Sequence, residues 1–245
     1  MLPNCELINC FGNQYLVFKG NDLISNAVKH AGGYEIEVFA VSQKLLERHQ
    51  DGVVLDIGAN MGTFTIPLAK ANPRFTFHSF EAQRIIYYQL CANTFINGLD
   101  NVHCHHFGLS DKRNKLKLTV PDYATETNIG AFSIDEETRK NEYECPTQGA
   151  TETITVFPLD EGEHKNVRLM KIDVEGHELE VLKGAKKTIK GNNYPPIIFE
   201  AWNWKPWFEP KRKELFDYLK NLGYEITEGG NNNLAQHPDH GEMFK

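Results

Sequence analysis

The sequence has no long apolar run, no basic N-terminal segment and no excess of basic charge. No stretch of about 18 consecutive apolar residues occurs, so no transmembrane helix is predicted. Because no basic stretch followed by an apolar one stands at the N-terminus, a signal peptide is not expected. The 26 Lys and Arg are outnumbered by 33 Asp and Glu, and the resulting net charge of −7 disfavours nucleic acid as a partner.

Cysteines are also few, and no two of them form a C-x-x-C pair. An odd number of cysteines does not build a disulfide framework, and a reduced cysteine among apolar residues behaves as a small hydrophobe. We therefore predict reduced thiols and a cytoplasmic location. The cysteines are Cys5, Cys10, Cys91, Cys104 and Cys145.

The chain does contain enough apolar side chains for a sizeable core, since 40% of its 245 residues are apolar and 11% are aromatic. From about residue 52 onward, β-like runs alternate with helical patterns. This alternation predicts an α/β fold with a mostly parallel sheet and right-handed crossovers. The predicted strands are 53–57, 74–80, 102–107, 167–172 and 196–200, and the predicted helices are 64–71, 85–96, 178–189 and 211–222.

Two regions break this alternation. Residues 1–50 are predicted to form an N-terminal cap, and residues 51–245 the main domain. Within the main domain, a polar stretch at about 121–150 separates two β-like runs at 115–120 and 151–157. So long a polar stretch inside a compact domain is typical of an insertion, a lid or a mobile loop.

The most informative segment is Val54–Phe64, where an apolar strand runs into a glycine turn that opens a helix. Dinucleotide sites usually read G-x-G-x-x-G, whereas here Gly58 and Gly62 are separated by three residues. The carboxylate of Asp56 would repel a phosphate and would suit a ligand with an ammonium group or a positive sulfur, such as S-adenosylmethionine. A P-loop is excluded because no Gly-Lys-Ser/Thr follows.

A second acid, Glu81, follows the second predicted strand, 81 − 56 = 25 residues beyond Asp56. An acid at this place is positioned to accept hydrogen bonds from ribose hydroxyls. The alternative is that Asp56 caps a helix and Glu81 is a solvated loop charge. The ordered set of strand, acid, two glycines, helix, strand and acid favours the ligand site.

Four segments of the sequence resemble the FkbM family of S-adenosylmethionine-dependent methyltransferases, over roughly residues 20–235. The resemblance implies a class I methyltransferase (Rossmann-like) fold. Its seven-stranded, mostly parallel sheet would carry helices on both faces and include one antiparallel strand. It also implies methyl transfer, usually to oxygen. The four segments are LDIGANMG (Leu55–Gly62), SFEA (Ser79–Ala82), LMKIDVEGHELEVLKGA (Leu169–Ala185) and PPIIFEAW (Pro195–Trp202).

The resemblance also implies which residues would bind the cofactor. Glu81 would hold the ribose, and Ser110 would lie beside the adenine. Glu35 and Glu37 would reach the cofactor from the cap. The remaining expected contacts, mostly to the methionine part, are Asp56, Gly58, Ala59, Asn60, Gly62, Thr63 and Asp173.

The acidic segment after the strand at 167–172 supplies the catalytic candidates, Asp173, Glu175 and His177. Each of them can accept a proton or orient an acceptor hydroxyl. The ordinary histidine pKa of about 6.5 would allow both states of His177 near neutrality. Two facts favour other roles: acids such as Glu175 and Glu178 stabilise a helix N-terminus, and family members often carry a small residue at position 177.

Two groups of side chains in the sequence are candidate metal sites. Asp173, Glu175 and Glu200 could meet at neighbouring strand ends, and their oxygens would suit Mg²⁺ or Ca²⁺. Related O-methyltransferases that use such an ion carry an Asp-Asn pair with these acids, and no such pair follows either of these strands, so no resident metal is predicted. In the run His103–His106 the side chains alternate between the two faces of a strand, which argues against a zinc site.

All three tryptophans, Trp202, Trp204 and Trp207, follow the last predicted parallel strand. Such aromatic surfaces suit sugar rings or aromatic acceptors, and the alternative is a hydrophobic plug between helix and sheet. The sequence thus predicts an S-adenosylmethionine-dependent methyltransferase acting on an oxygen of a small molecule or a glycan. The alternatives are an NAD-linked oxidoreductase, which predicts a glycine where Thr63 stands, and a non-catalytic binding protein with this fold. The sequence identifies neither the acceptor nor the oligomeric state.

Overall fold

The computed structural model describes residues 3–19, 22–30, 35–119, 129, 132–142 and 151–240. The strands are β1 Cys5–Cys10, β2 Asn13–Phe18, β3 Gly52–Ile57, β4 Phe75–Phe80, β5 Val102–His105, β6 Gly108–Leu109, β7 Asn114–Thr119, β8 Thr151–Phe157, β9 Val167–Ile172, β10 Ile197–Glu200, β11 Glu225–Gly229 and β12 Asn232–Gln236. The α-helices are α1 Leu23–His30, α2 Ile36–Leu46, α3 Thr65–Ala71, α4 Arg84–Ile96, α5 Glu136–Glu142, α6 Glu178–Gly184, α7 Lys186–Gly191 and α8 Glu209–Asn221.

Seven of these strands form the central sheet, in the order β11-β12-β10-β9-β3-β4-β5. The pairs from β10 to β5 are all parallel, and β12 runs antiparallel to both of its neighbours. Six strands therefore share one direction, and β12 alone opposes them. The predicted α/β fold with a seven-stranded, mostly parallel sheet is confirmed.

Helices cover both faces of this sheet, because successive side chains of a strand point to opposite sides. On one face, Val54 packs in a cluster with Leu46 of α2 and Leu68 of α3. On the other face, its neighbour Leu55 packs in a second cluster with Leu182 of α6. All five of these side chains are fully shielded from solvent.

The N-terminal cap contains more structure than the sequence indicated. β1 and β2 form an antiparallel hairpin, and α1 follows it. A short β-like piece at Tyr15–Phe18, within β2, is predictable from the sequence, but β1 and α1 were missed because they are short: α1 has eight residues, and of its apolar side chains only Ile24 and Val28 are buried. The predicted helix at 178–189 is two helices, since α6 ends at Gly184, a residue type with weak helix propensity, and α7 begins at Lys186.

The predicted insertion is described only in part. The two β-like runs that flank it form β7 and β8, which pair in a three-stranded sheet in the order β6-β8-β7. Between them the structure describes residues 129 and 132–142, including α5, and the rest of the 121–150 segment lies outside the described residues. The division into a cap and a main domain stays a prediction.

Two further expectations concern membranes and cysteines. Within the described ranges, no helix combines the length and the apolar character that a membrane span requires. Cys5, Cys10, Cys91 and Cys104 are free thiols, and Cys145 lies outside the described residues.

The turn after β3 is wedged between the ends of two neighbouring strands. The backbone N–H groups of Gly58 and Ala59 both donate to the carbonyl of Phe80, at 3.0 and 2.9 Å. On the other side, the N–H of Asp173 donates to the carbonyl of Ile57 at 2.9 Å. A Cβ at Gly58 would stand 1.8 Å from the carbonyl oxygen of Asp173, so only glycine fits here.

This contact makes Gly58→Ala the most informative backbone substitution. Gly58 and Gly98 both have positive φ, 83° and 64°, so alanine at either carries a backbone cost of about 1–2 kcal/mol. Around Gly98 no heavy atom lies within 4 Å of an added Cβ. We expect Gly58→Ala to lower the free energy of unfolding by about 1–3 kcal/mol more than Gly98→Ala does, measured by urea denaturation. Equal losses would contradict the close contact.

Candidate functional site

A cavity opens at the carboxyl edge of the sheet, beside the turn after β3, and we call it the edge cavity. It contains eight of the residues that the sequence singled out. These are Glu35, Gly58, Ala59, Asn60, Thr63, Glu81, Asp173 and Glu175. The other lining residues are Ile24, Ile57, Phe64, Phe80, Ala82, Gln83, Phe107, Gly108, Leu109, Phe132, Ile134, Lys171 and Val174.

Glu81 lies at the end of β4 and is held by the turn opposite to it. Its Oε2 accepts the N–H of Asn60 at 3.0 Å, and its Oε1 accepts the N–H of Gln83 at 2.8 Å. Burial raises the pKa of Glu81 to about 7, although these backbone donors act in the opposite direction. Each carboxylate oxygen can accept more than one hydrogen bond, so Glu81 retains capacity for donors that enter the cavity.

Asp56, predicted as a cofactor contact, does not line the edge cavity. Its side chain is fully buried and accepts a hydrogen bond from the Thr65 hydroxyl, which lies 2.7 Å from the Ser79 hydroxyl. Burial raises the pKa of Asp56 to about 6, and Lys171 acts against this shift. Since Thr65 begins α3, Asp56 joins that helix to the sheet. The sequence placed Asp56 correctly at the end of β3 but not the direction of its side chain.

Lys171 is the site residue that the sequence analysis missed. Its Nζ lies 2.8 Å from Asp173 Oδ2 and 3.4 Å from Glu35 Oε2, and its side chain is only 4% exposed. Burial alone would lower the pKa of Lys171, but the carboxylates of Asp173, Glu35 and Asp56 raise it well above the usual value. The available signal was one lysine within the apolar strand β9, where a buried cation needs acidic partners.

Of the two cap acids, Glu35 lines the edge cavity and Glu37 does not. Glu35 precedes α2, and its Oε1 accepts a hydrogen bond from Asn232 Nδ2 at 3.0 Å. Glu37 is exposed and lines a separate groove beside Asn233. Residues two positions apart at a helix start point in different directions, so only one of the pair reaches the cavity. Of the two predicted contacts from the cap, only Glu35 therefore lies at the edge cavity, and a contact of either residue with a cofactor stays a prediction.

His177 and Ser110 lie outside the lining of the edge cavity and contact each other. His177 Nε2 is 3.0 Å from Ser110 Oγ. Burial lowers the pKa of His177 to about 4, so the expected change of charge near neutrality is not supported. Gly62 is also absent from the lining, because it packs against Ile66 and Leu90.

Four acids lie in the turn between β9 and α6 and at the end of β10. They are Asp173, Glu175, Glu178 and Glu200. Glu178 is structural, since its Oε1 accepts the N–H groups of Val174 and Gly176, both at 3.1 Å. Glu175 and Glu200 have no such described donors from the turn. Burial, together with the charge of Asp173, raises the pKa of both well above the usual range.

The tryptophan segment is divided between core and surface. Trp202 is 4% exposed and belongs to the core cluster, as the hydrophobic plug predicts. Trp204 is 63% exposed. Trp207 Nε1 donates to Glu142 of α5 at 2.7 Å, and Lys205 Nζ lies 2.7 Å from the same carboxylate. This segment therefore anchors the described part of the insertion, and only Trp204 presents an open aromatic surface.

The histidine run has the mixed faces that the sequence predicted. His105 Nε2 lies 2.9 Å from His78 Nδ1, and the ring of His103 stacks on the same His78 ring. Cys104 faces Thr94, and His106 stacks on Tyr87. Along the described chain, these side chains form no group whose ligand atoms meet as a metal site requires.

Comparisons with known proteins agree with this geometry. A family model described as the methyltransferase FkbM domain matches residues 56–226. Methyltransferase sdnD of Sordaria araneosa is 28% identical over 199 residues, which cover 71% of this chain and 74% of that protein. Methyltransferase 1 of Beauveria bassiana is 26% identical over 145 residues, which cover 55% of this chain and only 58% of that protein.

A solved structure shows the same fold. The FkbM methyltransferase from Methylobacillus flagellatus superposes with a TM-score of 0.50 at 18% sequence identity. The match covers 76% of this chain and 43% of that one, so the chain spans less than half of that protein. Because the family model covers more than half of the sequence, this chain belongs to the FkbM family of methyltransferases.

Proposed function

We propose that this protein transfers a methyl group from S-adenosylmethionine to an oxygen of a small molecule or glycan. The observation that carries the proposal is Glu81. It is a buried carboxylate beside the glycine turn, and it retains hydrogen-bonding capacity toward the edge cavity. A ribose presents two adjacent hydroxyl donors, which is what such a carboxylate can accept.

The charge of the edge cavity fits this cofactor. Its described lining contains the acids Glu35, Glu81, Asp173 and Glu175 against one cation, Lys171, which is already engaged by Asp173 and Glu35. An acidic surplus favours the positive sulfur and the ammonium group of S-adenosylmethionine. It disfavours the pyrophosphate of NAD, which needs cations or bare N–H groups. The charge therefore argues against the oxidoreductase alternative.

The two ends of the cavity differ in a way that suits the two ends of the cofactor. Beyond Glu81, the lining is aromatic and aliphatic, with Phe80, Phe107, Leu109 and Phe132, and is suited to a flat adenine ring. Toward β9 the lining is ionic. We assign the ribose to Glu81 and the methionine part to Gly58–Thr63, while Ser110 supports the site through His177 and does not touch the cofactor.

When bound, the cofactor supplies an activated methyl group on a positive sulfur, so the protein must orient the acceptor and receive its proton. Asp173 is our first candidate for this task, because its carboxylate faces the cavity and is held in place by Lys171. Glu175, which also lines the cavity, is the second. His177 is a weaker candidate, because it lies outside the lining and points to Ser110.

The relatives do not identify the methyl acceptor. Their names state methyl transfer and no acceptor. The chain also spans only part of their length, as little as 58% of the Beauveria protein. The preference for oxygen rests on the acids at the cavity. A non-catalytic binding protein would not need the glycine turn, Glu81 and Asp173 together, and all three are in place.

Calorimetric titration with S-adenosylmethionine, S-adenosylhomocysteine and NAD tests the proposal. We expect the adenosyl compounds to bind and NAD not to bind. Glu81→Gln should weaken adenosyl binding by about 10- to 100-fold, since a hydrogen bond to a charged group contributes about 1.5–3 kcal/mol. The binding should also weaken as the pH falls below about 7, because Glu81 then becomes protonated and loses acceptor capacity.

The matched control is Glu163→Gln, which removes an acid whose side chain is 89% exposed and should leave affinity unchanged. In Glu81→Gln the pH dependence that belongs to Glu81 should disappear. Wild-type affinity in Glu81→Gln, or preferential binding of NAD, would refute the assignment of the ribose to this residue.

The surroundings of His177 give a second prediction. With its pKa lowered to about 4 by burial, the imidazole should stay neutral throughout the neutral range. Its ring resonances in a nitrogen-detected NMR titration should therefore not shift between about pH 5.5 and 8. A midpoint for His177 near the ordinary value of about 6.5 would restore it as a candidate base.

A further inference from the structure

Three carboxylates converge where β9 and β10 end. Asp173 directly follows β9, Glu175 lies in the next turn, and Glu200 is the last residue of β10. The two strands are parallel neighbours with Phe199 opposite Ile172, so their ends meet at the same edge. One oxygen from each of the three carboxylates lies within 4.8 Å of the other two. Asp173 and Glu175 also line the edge cavity.

One carboxylate oxygen of Glu200 is buried and lacks a hydrogen-bond partner among the described residues. Glu200 receives a hydrogen bond from the side chain of Trp202. Its Oε2 is nevertheless buried and has no hydrogen-bond partner in the part of the chain that the structure describes. Leaving a buried carboxylate oxygen unpaired is costly, and native proteins normally satisfy such atoms with a donor, a water or a cation.

The nearby lysines do not neutralise this group. Lys171 is shared between Asp173 and Glu35. Lys205 lies 2.7 Å from Glu142 Oε2 and 3.5 Å from the centre of the Trp202 ring. Across the described ranges, neither Glu175 nor Glu200 forms an ion pair with Lys or Arg. Three carboxylates therefore face one another, with Lys171 shared at their edge and Lys205 paired with Glu142.

We propose that Asp173, Glu175 and Glu200 bind a divalent cation of the Mg²⁺ or Ca²⁺ class. The donors are all oxygens, which hard cations prefer over nitrogen and sulfur ligands. A cation between them would remove the mutual repulsion of the carboxylates and would satisfy Glu200 Oε2. The absence of an Asp-Asn pair after these strands argued against metal at the level of sequence, but here a glutamate from the turn supplies the third oxygen.

The coordination leaves room for an acceptor. Hard cations of this class take about six or more oxygen ligands, so three carboxylates leave several positions open to water or to an acceptor. This use of the cation rests on the proposed methyl transfer, and with the cation bound Asp173 would position the acceptor through the cation and would not itself receive the acceptor's proton. It favours an acceptor that offers one or two oxygens for coordination, and it would lower the pKa of a bound hydroxyl.

Titration of the EDTA-treated, dialysed protein with Mn²⁺ alone tests the site, with the unbound Mn²⁺ followed by EPR. We expect about one ion to bind per chain, and Mg²⁺ or Ca²⁺ to displace it. Glu200→Gln should weaken Mn²⁺ binding by at least about tenfold. Glu180→Gln removes a nearby acid that pairs with Lys183, and should leave binding within about twofold.

Binding of S-adenosylhomocysteine is measured on the same metal-free samples, so that failure of the cation site and failure of the cofactor site are told apart. Circular dichroism checks that each variant folds, and Glu175→Gln replaces Glu200→Gln if the latter does not. Absence of Mn²⁺ binding to the wild-type protein at about millimolar concentration would overturn the proposal. Wild-type Mn²⁺ affinity in the variant that folds would overturn it as well.

Discussion

The close contact between Gly58 and the backbone of Asp173 organises the whole site. It brings the turn after β3 against the end of β9 with no room for a side chain. On its other side the same turn is bonded to Phe80, and its Asn60 N–H reaches Glu81. The acids at the ends of β4 and β9 thereby lie on either side of the glycine turn. Both acids line the edge cavity.

Charge is the second constraint on this edge. The sheet ends in a surplus of carboxylates. Glu178 accepts hydrogen bonds from backbone donors, and one oxygen of Asp173 pairs with Lys171. Glu81, Glu175 and Glu200 keep capacity for something that enters from outside. The ribose of a cationic methyl donor would donate hydrogen bonds to Glu81. A hard cation beside it would bind Glu175 and Glu200. The same surplus would disfavour a phosphate-bearing cofactor.

Much of this arrangement was predictable because it follows from where strands end. Parallel strands bring their carboxyl ends to one edge, and this rule correctly placed Glu81, Asp173 and Glu175 around the glycine turn. The rule does not give side-chain direction, so it did not show that Asp56 accepts a hydrogen bond from Thr65 and lies outside the cavity lining. Burial depends on tertiary packing, which the pattern of a single strand does not show, and the buried Lys171 was therefore missed.

The crystal structure of the complex with S-adenosylhomocysteine would test the central claim most directly. The account predicts that both ribose hydroxyls lie within hydrogen-bonding distance of the Glu81 carboxylate. It also predicts that the amino-acid part lies along Gly58–Thr63 and faces Asp173. A ribose bound away from Glu81, or an adenosyl group outside the edge cavity, would contradict it.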